Sequence, residues 1–142
     1  MNYLLDTNAA LAILHGNHEN HGLAMKWLST VSDPGSIGLC RIAEVGMFRV
    51  LTQRSVMGAN TVPPSEAWSA VERMYEDDRF VPAAEPYNLP RTWRDLISGL
   101  HSNAMADTDT YLAAFAKAAG LQVVTFDSGY QRFPEVKALV LR

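Results

Sequence analysis

Tyr3-Leu4-Leu5-Asp6-Thr7-Asn8 is the stretch that decides the fold predicted for this chain. Its apolar run is short and ends abruptly at an acid, which is typical of a strand buried on both faces of a parallel sheet. Asp6 would then lie just past the carboxyl end of the strand, the edge at which open α/β sheets bind ligands. A second interpretation fits its position equally well: Asp6 belongs to the turn or cap of a short helix, predicted from Asn8 to Leu14 with Asn8 as its N-cap.

The bulk composition favours one globular domain. The chain has 142 residues, 48% of them hydrophobic, and a domain of this length buries roughly two-thirds of its unfolded surface. Its single cysteine, Cys40, cannot form an internal disulfide, and only five residues precede Asp6. No apolar run approaches the roughly 18 to 20 residues that cross a bilayer. We therefore expect a single cytoplasmic domain over residues 1–142, without a secretory segment.

The net charge of −3 argues by itself against a nucleic-acid binder, since 12 Lys and Arg face 15 Asp and Glu. That argument fails if four of the acids bind a divalent cation. The other 11 acids are then balanced by the 12 basic residues, and the ion reverses the sign of the charge around it. The charge leaves the question of nucleic-acid binding open.

Apolar runs alternate with helical patterns along the rest of the chain. Helices are predicted at residues 19–31, 41–54, 65–77, 88–100 and 105–119, and strands at 36–40, 79–83, 121–126 and 136–141. Strands and helices that alternate with short connections predict a right-handed, mostly parallel βαβ sheet. Residues 55–64 contain two prolines, one glycine and one asparagine, and are predicted to form a long loop.

Two further acids, Glu44 and Asp127, occupy positions where a purely structural carboxylate is unusual. Glu44 shares a predicted helix face with Phe48 and Leu51, so it points toward the core. Burying an unpaired carboxylate costs several kcal/mol, so its partner is either a cation or Arg41, nearly one turn earlier. Asp127 follows a buried strand, which repeats the arrangement at Asp6.

The helix at 105–119 offers two candidate acids, Asp107 and Asp109. On a helix they point about 200° apart, so both cannot face one site. Asp109 shares its face with Met105 and Leu112, the side that packs toward the sheet. We expect Asp109 to face the site and Asp107 to cap the helix, although Asp107 would also reach the site if the helix began there.

Asp6, Glu44, Asp109 and Asp127 can meet at one edge of the sheet, because the carboxyl ends of neighbouring parallel strands lie side by side. Four carboxylates at close range need a cation, and oxygen ligands alone favour Mg²⁺ or Mn²⁺ over zinc. Such an ion holds a phosphate and orients water, so the predicted substrate class is a phosphodiester. A zinc site at His15, His18 and His21 is the weaker alternative, since Gly16-Asn17 interrupts the helix and no fourth ligand is nearby.

The ordered motifs resemble those of PIN domains, and among these the VapC toxins of bacterial toxin-antitoxin pairs. The likeness spans nearly the whole chain, and the motifs are Leu4-Leu5-Asp6-Thr7-Asn8, Glu44 within a helix, Asp109-Thr110-Tyr111-Leu112-Ala113-Ala114-Phe115-Ala116 and Val124-Thr125-Phe126-Asp127. No single motif is specific, but the set in this order and spacing is. One departure is Ser128, where the similar subfamily often has Arg; Arg132 is the candidate to replace it.

This resemblance implies an α/β, PIN-like three-layer fold in which helices flank a mostly parallel sheet. It also implies an Mg²⁺- or Mn²⁺-dependent endoribonuclease that is inhibited by a VapB-type antitoxin and is homodimeric. The implied catalytic residues are Asp6, Glu44, Asp109 and Asp127, with Asp6 and Asp109 as metal ligands.

Two other functions remain open at this stage. A noncatalytic RNA-binding or protein-interaction module would need the acids to be degenerate, and all four are present. A metal-dependent phosphatase of small molecules would need a closed pocket rather than an open groove. The aromatic residues Trp27, Phe48, Trp68 and Trp93 predict an apolar groove near the acids that a protein partner covers, although core packing explains most of them equally well.

Overall fold

The computed structural model describes residues 1–104 and 106–142, and its core is one parallel sheet. The strands are β1 (Tyr3–Leu5), β2 (Ile37–Cys40), β3 (Phe80–Ala83), β4 (Gln122–Thr125) and β5 (Ala138–Val140). They lie in the order β3-β2-β1-β4-β5, and every neighbouring pair is parallel. The predicted α/β class is confirmed.

Helices cover the sheet in two groups. They are α1 (Thr7–Leu14), α2 (His21–Leu28), α3 (Arg41–Leu51), α4 (Arg54–Met57), α5 (Pro64–Met74), α6 (Leu89–Ser98) and α7 (Thr108–Ala119). Helix α1 packs with α2, α3 and α5, whereas α6 packs with α7. The connection from β3 back to β4 crosses the sheet in the opposite direction to the earlier ones, so right-handed crossovers place α6 and α7 on the opposite face. The part of the chain that the structure describes contains no helix with the length and apolarity to span a bilayer.

Strand β1 occupies the centre of the sheet. Tyr3 is in register with Ile37 of β2 on one side and with Gln122 of β4 on the other. Leu4 and Leu5 are fully buried, as the short apolar run predicts for a strand covered on both faces. The strand order runs outward from β1 in both directions. The crevice between the carboxyl ends of β1 and β4 is therefore the topological switch point, where such sheets bind ligands.

Three predicted local features differ from the structure. Helix α1 begins at Thr7 and is capped by Asp6, not by Asn8. The predicted loop at 55–64 contains part of α4 and a 3₁₀ turn, Gly58–Asn60, both too short to show a periodic pattern. Helix α7 begins at Thr108 rather than at 105, because the Asp107 backbone is extended and its side chain accepts the Asp109 N–H. Met105, the predicted first residue of that helix, lies outside the described residues.

The aromatic residues divide between core and surface. Trp27 is buried and meets the Tyr3 ring edge-on, and the indole N–H of Trp93 donates to Thr110 Oγ1 at 3.0 Å. Trp68 is 53% exposed and stacks on Phe48, with ring centroids 5.5 Å apart. Of the four aromatic residues named from the sequence, Trp68 is the exposed one, and Phe48 is half-buried beneath it.

Gly46 allows α1 and α3 to approach closely. A Cβ atom added there would lie 2.5 Å from Thr7 Oγ1 and 2.9 Å from Thr7 Cγ2. Rotating the Thr7 side chain would not remove the contact, because its Cβ would also be 3.3 Å away. The packing of α3 against the start of α1 therefore requires a residue without a side chain.

We expect Gly46→Ala to lower the free energy of unfolding by about 1 to 3 kcal/mol, because overpacking outweighs the gain in helix propensity. Gly22→Ala is the matched control, since Gly22 is also helical and a Cβ there meets nothing within 4 Å. The control should be neutral or stabilising by up to about 1 kcal/mol. Urea denaturation of both variants measures the difference, and equal stabilities would show that α1 and α3 are not in tight contact.

Candidate active site

Asp6 stands at the junction of β1 and α1, and both of its carboxylate oxygens are engaged. Its N–H donates to Val124 O at 3.2 Å, which extends the pairing of β1 with β4 by one residue. Its Oδ1 accepts the Ala9 N–H at 2.8 Å, and its Oδ2 accepts the Thr125 hydroxyl. Both interpretations of Asp6 from the sequence hold: it caps a helix, and its carboxylate lies at the carboxyl edge of the sheet.

Thr125 connects two of the acids. Its side chain is fully buried at the end of β4, and its hydroxyl donates to Asp6 while Oγ1 accepts the Asp127 N–H at 2.9 Å. Asp127 in turn accepts the Gly129 N–H at 2.7 Å. Thr125 was not among the predicted site residues. A sequence feature that could have identified it is its hydroxyl at the end of an apolar strand, two residues before Asp127. Side chains two residues apart in an extended chain lie on the same side.

Asp109 lies in the first turn of α7, with a hydrogen-bond donor on one oxygen and a cation near the other. Tyr130 donates its hydroxyl to Asp109 Oδ1 at 3.3 Å, and Arg132 Nη2 is 3.8 Å from Oδ2. The same guanidinium is 3.5 Å from Oδ1 of Asp107, which caps the helix as expected. Asp107 is exposed, and it does not line the pocket that Asp109 faces.

Asp6, Asp109 and Asp127 line one pocket of about 400 Å³ at the switch point between β1 and β4. Helix α3 forms the opposite wall, where Gly46 and Arg49 also line the pocket. The remaining lining residues are Thr7, Asn8, Ile42, Val45, Val50, Thr108 and Leu112. Asp127 and Arg49 are exposed, so the pocket opens to solvent along its rim.

Glu44, the fourth predicted acid, lines a different cavity. It is 5% exposed and accepts hydrogen bonds from Arg41 Nη1 and from Tyr75 Oη, both at 2.5 Å. The residues around it include Phe48 and Trp68, whereas α3 turns other side chains toward the acidic pocket. Arg41, the alternative partner foreseen from the sequence, is the cation that it contacts. The structure thus brings three of the four predicted acids together and separates the fourth.

Two carboxylates of the pocket, those of Asp6 and Asp109, lie in an environment that disfavours negative charge. Burial raises the pKa of Asp6 to about 6, although the bonds from Thr125 and Ala9 lower it; the charges of Asp109 and Asp127 add to the increase. The pKa of Asp109 is raised by burial and then by Asp107 and Asp127, against the opposing effects of Tyr130 and Arg132. A bound cation would relieve this repulsion.

The donor set fits a hard divalent cation held by two carboxylates. Across residues 1–104 and 106–142, no group of three His, Cys, Asp or Glu side chains is placed to hold a metal ion. Mg²⁺ requires no such group, because it usually keeps several waters and binds protein through one or two carboxylates. Asp6 and Asp109 supply oxygen donors of the type that Mg²⁺ and Mn²⁺ prefer.

The histidines of the zinc alternative are engaged separately. His21 Nδ1 lies 2.6 Å from Ala12 O, and the His18 ring accepts the Asn20 N–H and stacks on Phe126. The described residues therefore give the predicted zinc site no support.

Comparison with known proteins identifies the family. The PIN domain family model matches residues 3–136. The chain belongs to the PIN domain family. It is 37% identical to ribonuclease VapC41 of Mycobacterium tuberculosis over 142 residues, which cover 97% of each chain. The family predicted from the motif order is therefore confirmed.

Solved PIN-domain structures share the fold. The structure of VapBC2 from Rickettsia felis, bound to a DNA fragment from its promoter, matches with a TM-score of 0.73 and 14% identity, and the match covers 100% of both chains. That of VapC20 from Mycobacterium tuberculosis, a toxin that cleaves the sarcin-ricin loop, gives a TM-score of 0.68 at 15% identity, with 96% of this chain and 99% of that one covered. The PIN-like arrangement of helices around a parallel sheet is confirmed.

We expect Asp6→Asn to change how the stability of the metal-free protein depends on pH. Because the pKa of Asp6 is about 6 in the folded state and 3.8 ordinarily, the folded state binds more protons between these values, and stability falls as pH rises through them. The full penalty, about 3 kcal/mol, is present above pH 7 and absent below about pH 3. Asn keeps the cap and carries no charge.

The stability of Asp6→Asn minus that of the parent should therefore increase by about 2 to 2.5 kcal/mol from pH 4 to pH 7.5. Urea denaturation in EDTA at several pH values measures this difference, and the titration of groups that do not interact with Asp6 cancels in it. A difference that does not change with pH would show that Asp6 is not held in a desolvated, acidic environment.

The position of Glu44 leads us to expect that Glu44→Gln changes Mn²⁺ affinity by less than about threefold, whereas Asp109→Asn lowers it by about tenfold or more. The reason is that Glu44 faces Arg41 and Tyr75 rather than the pocket. Titration calorimetry with Mn²⁺ on both variants provides the comparison. A loss of affinity in Glu44→Gln as large as that in Asp109→Asn would place Glu44 at the metal.

Proposed function

We propose that this chain, as a single PIN domain over residues 1–142, is a metal-dependent endoribonuclease toxin that cleaves RNA phosphodiesters and is neutralised by a VapB-type antitoxin. The observation that supports this most strongly is the convergence of Asp6, Asp109 and Asp127 on one open pocket at the switch point of the sheet. The ribonuclease names of relatives that align over nearly the whole chain support the same activity.

In this proposal, Asp6 and Asp109 hold Mg²⁺ or Mn²⁺. The ion, when bound, supplies a Lewis acid for a phosphate oxygen and lowers the pKa of a water. Asp127 is the exposed acid of the three, and it accepts the proton of the attacking water. Arg49 places an exposed cation on the wall of the pocket, where it can bind a substrate phosphate. Glu44, predicted from the sequence as a fourth catalytic acid, supports α3 through Arg41 and Tyr75.

The shape of the pocket favours a polymer over a small substrate. Its rim is formed partly by exposed residues, among them Val45, Arg49 and Asp127, so a strand can pass across the carboxylates. A phosphatase of small molecules encloses its substrate and excludes water from the reacting centre. The pocket does not favour the alternative of a noncatalytic module, because Asp6, Asp109 and Asp127 are all present and line it together.

The antitoxin is expected to cover apolar surface near α3. Val45, at the pocket, is 55% exposed, and the stack of Trp68 on Phe48 lies on the flank of the same helix. Exposed aromatic and aliphatic side chains of this kind are typical anchors of protein interfaces. The solved structures of similar fold include complexes of toxins with antitoxins, such as VapBC2. A homodimer is the expected assembly of the toxin itself.

We expect Asp109→Asn to reduce Mg²⁺-dependent cleavage of RNA by about 100-fold or more, because it removes a charged ligand of the ion. Asp107→Asn is the matched control on the same helix. It keeps a capping side chain outside the pocket, so most of the activity should remain. Cleavage of a folded RNA by the purified proteins, with and without EDTA, measures both variants.

If Asp107→Asn loses more cleavage activity than Asp109→Asn, the metal ligand is Asp107 instead of Asp109. Cleavage by the parent protein that continues unchanged in EDTA would refute metal dependence. Hydrolysis of a small phosphomonoester with no cleavage of RNA would favour the phosphatase.

A further inference from the structure

Tyr130 is a buried tyrosine that the proposed chemistry has not used. It lies in the 3₁₀ turn Ser128–Arg132, directly after Asp127, and it is 1% exposed. Its ring meets the edge of Phe133, which is also buried, with centroids 6.1 Å apart. The ring is therefore held in one place by packing.

The turn that carries Tyr130 is attached to the last acid of the pocket. Asp127 Oδ1 accepts the Gly129 N–H at 2.7 Å. A Cβ on residue 129 would lie 2.9 Å from the same oxygen, so glycine allows the turn to close this tightly. The hydrogen bond from Gly129 to Asp127 therefore fixes the turn that carries Tyr130 relative to the pocket.

The Tyr130 hydroxyl contacts Asp109, one of the three carboxylates of the pocket. It donates to Asp109 Oδ1 at 3.3 Å. A tyrosine hydroxyl carries its proton at neutral pH, and beside a carboxylate oxygen it acts as the donor.

Packing alone does not require this oxygen, because phenylalanine would fill the same volume. A buried hydroxyl is unfavourable unless it is hydrogen-bonded, and here its bond is to Asp109. A donor that holds one oxygen of a metal-binding carboxylate fixes the direction of the other. Asp109 Oδ2 lies 3.8 Å from the half-exposed guanidinium of Arg132. An ion can displace this contact.

We propose that Tyr130 is a positioning residue of the metal site: its hydroxyl holds Asp109 Oδ1, so that Oδ2 is presented to the divalent cation in the pocket. This inference rests on the proposed function, because it needs Asp109 to be a ligand. It adds a residue that contacts neither the substrate nor the ion.

The chain provides a matched control for removing such a hydroxyl. Tyr111 is a buried residue of the same helix as Asp109, and its hydroxyl donates to Glu85 Oε1 at 2.6 Å. Glu85 does not line the acidic pocket. Tyr111→Phe therefore removes a tyrosine-carboxylate bond near the site without changing the carboxylates that face it.

The test is the affinity of Mn²⁺ alone for the parent protein, Tyr130→Phe, Tyr111→Phe and Asp109→Asn, measured by titration calorimetry on metal-free protein. We expect Tyr130→Phe to weaken Mn²⁺ binding by about tenfold and Tyr111→Phe to leave it unchanged. In RNA cleavage at saturating Mn²⁺, kcat of Tyr130→Phe should fall more than KM rises, since the substrate does not contact this residue.

A Tyr130→Phe variant that is folded and binds Mn²⁺ as tightly as the parent overturns the inference, while loss of binding in Asp109→Asn alone leaves the proposed function standing. Equal weakening in Tyr130→Phe and Tyr111→Phe also overturns it, since the effect would then be structural. A parent protein that binds no Mn²⁺ overturns both the inference and the proposed function.

A measurement on the unmodified protein tests the inference even if Tyr130→Phe does not fold. The chain has five tyrosines, and ¹³Cζ-tyrosine labelling gives one NMR signal for each. The signal of Tyr130 can be assigned by elimination, from Phe variants of Tyr3, Tyr75, Tyr87 and Tyr111. Adding Mg²⁺ should shift the Tyr130 signal most, because the carboxylate that accepts its proton becomes a ligand. A Tyr130 signal that stays in place while Mg²⁺ binds refutes the proposal.

Discussion

The carboxylate of Asp6 is the point on which the site and much of the fold depend. Its oxygens accept the N–H of Ala9, in the first turn of α1, and the hydroxyl of Thr125, and its own N–H completes the pairing of β1 with β4. These bonds connect the central strand, the helix that follows it and the strand beside it. They also hold a charge in a place where burial disfavours charge. The same residue therefore stabilises the fold by its geometry and destabilises it by its ionisation.

All three acids of the pocket lie at the start of a helix or of a 3₁₀ turn. Asp6 caps α1, Asp109 lies in the first turn of α7, and Asp127 caps the 3₁₀ turn that carries Tyr130. Free N–H groups at the start of a helix favour negative charge, which offsets part of the repulsion between the acids. The carboxylates of Asp6 and Asp127 are thus held by backbone N–H groups that follow them, whereas that of Asp109 contacts the side chains of Tyr130 and Arg132.

The residues that could be predicted from the sequence are those whose local pattern determines their position. Asp6 and Asp127 follow buried apolar runs, and the angular spacing of a helix separates Asp109 from Asp107. Glu44 was correctly predicted to be buried beside Phe48. Its direction was not predictable, because α3 is buried on more than one side and periodicity does not say which neighbour each face meets. Thr125 and Tyr130 were missed because their roles depend on partners 119 and 21 residues away.

The separation between Asp6 and Thr125 also bears on when the protein becomes active during its own synthesis. The central strand is made first, but its partner β4 and the turn that carries Asp127 and Tyr130 are made more than a hundred residues later. Until they leave the ribosome, β1 has an unpaired edge and Asp6 lacks the strand beside it. Contacts between segments this far apart in the chain form late and slowly. A nascent chain is therefore inert for most of the time that the ribosome spends on it, and any enzymatic activity begins only when synthesis is almost complete.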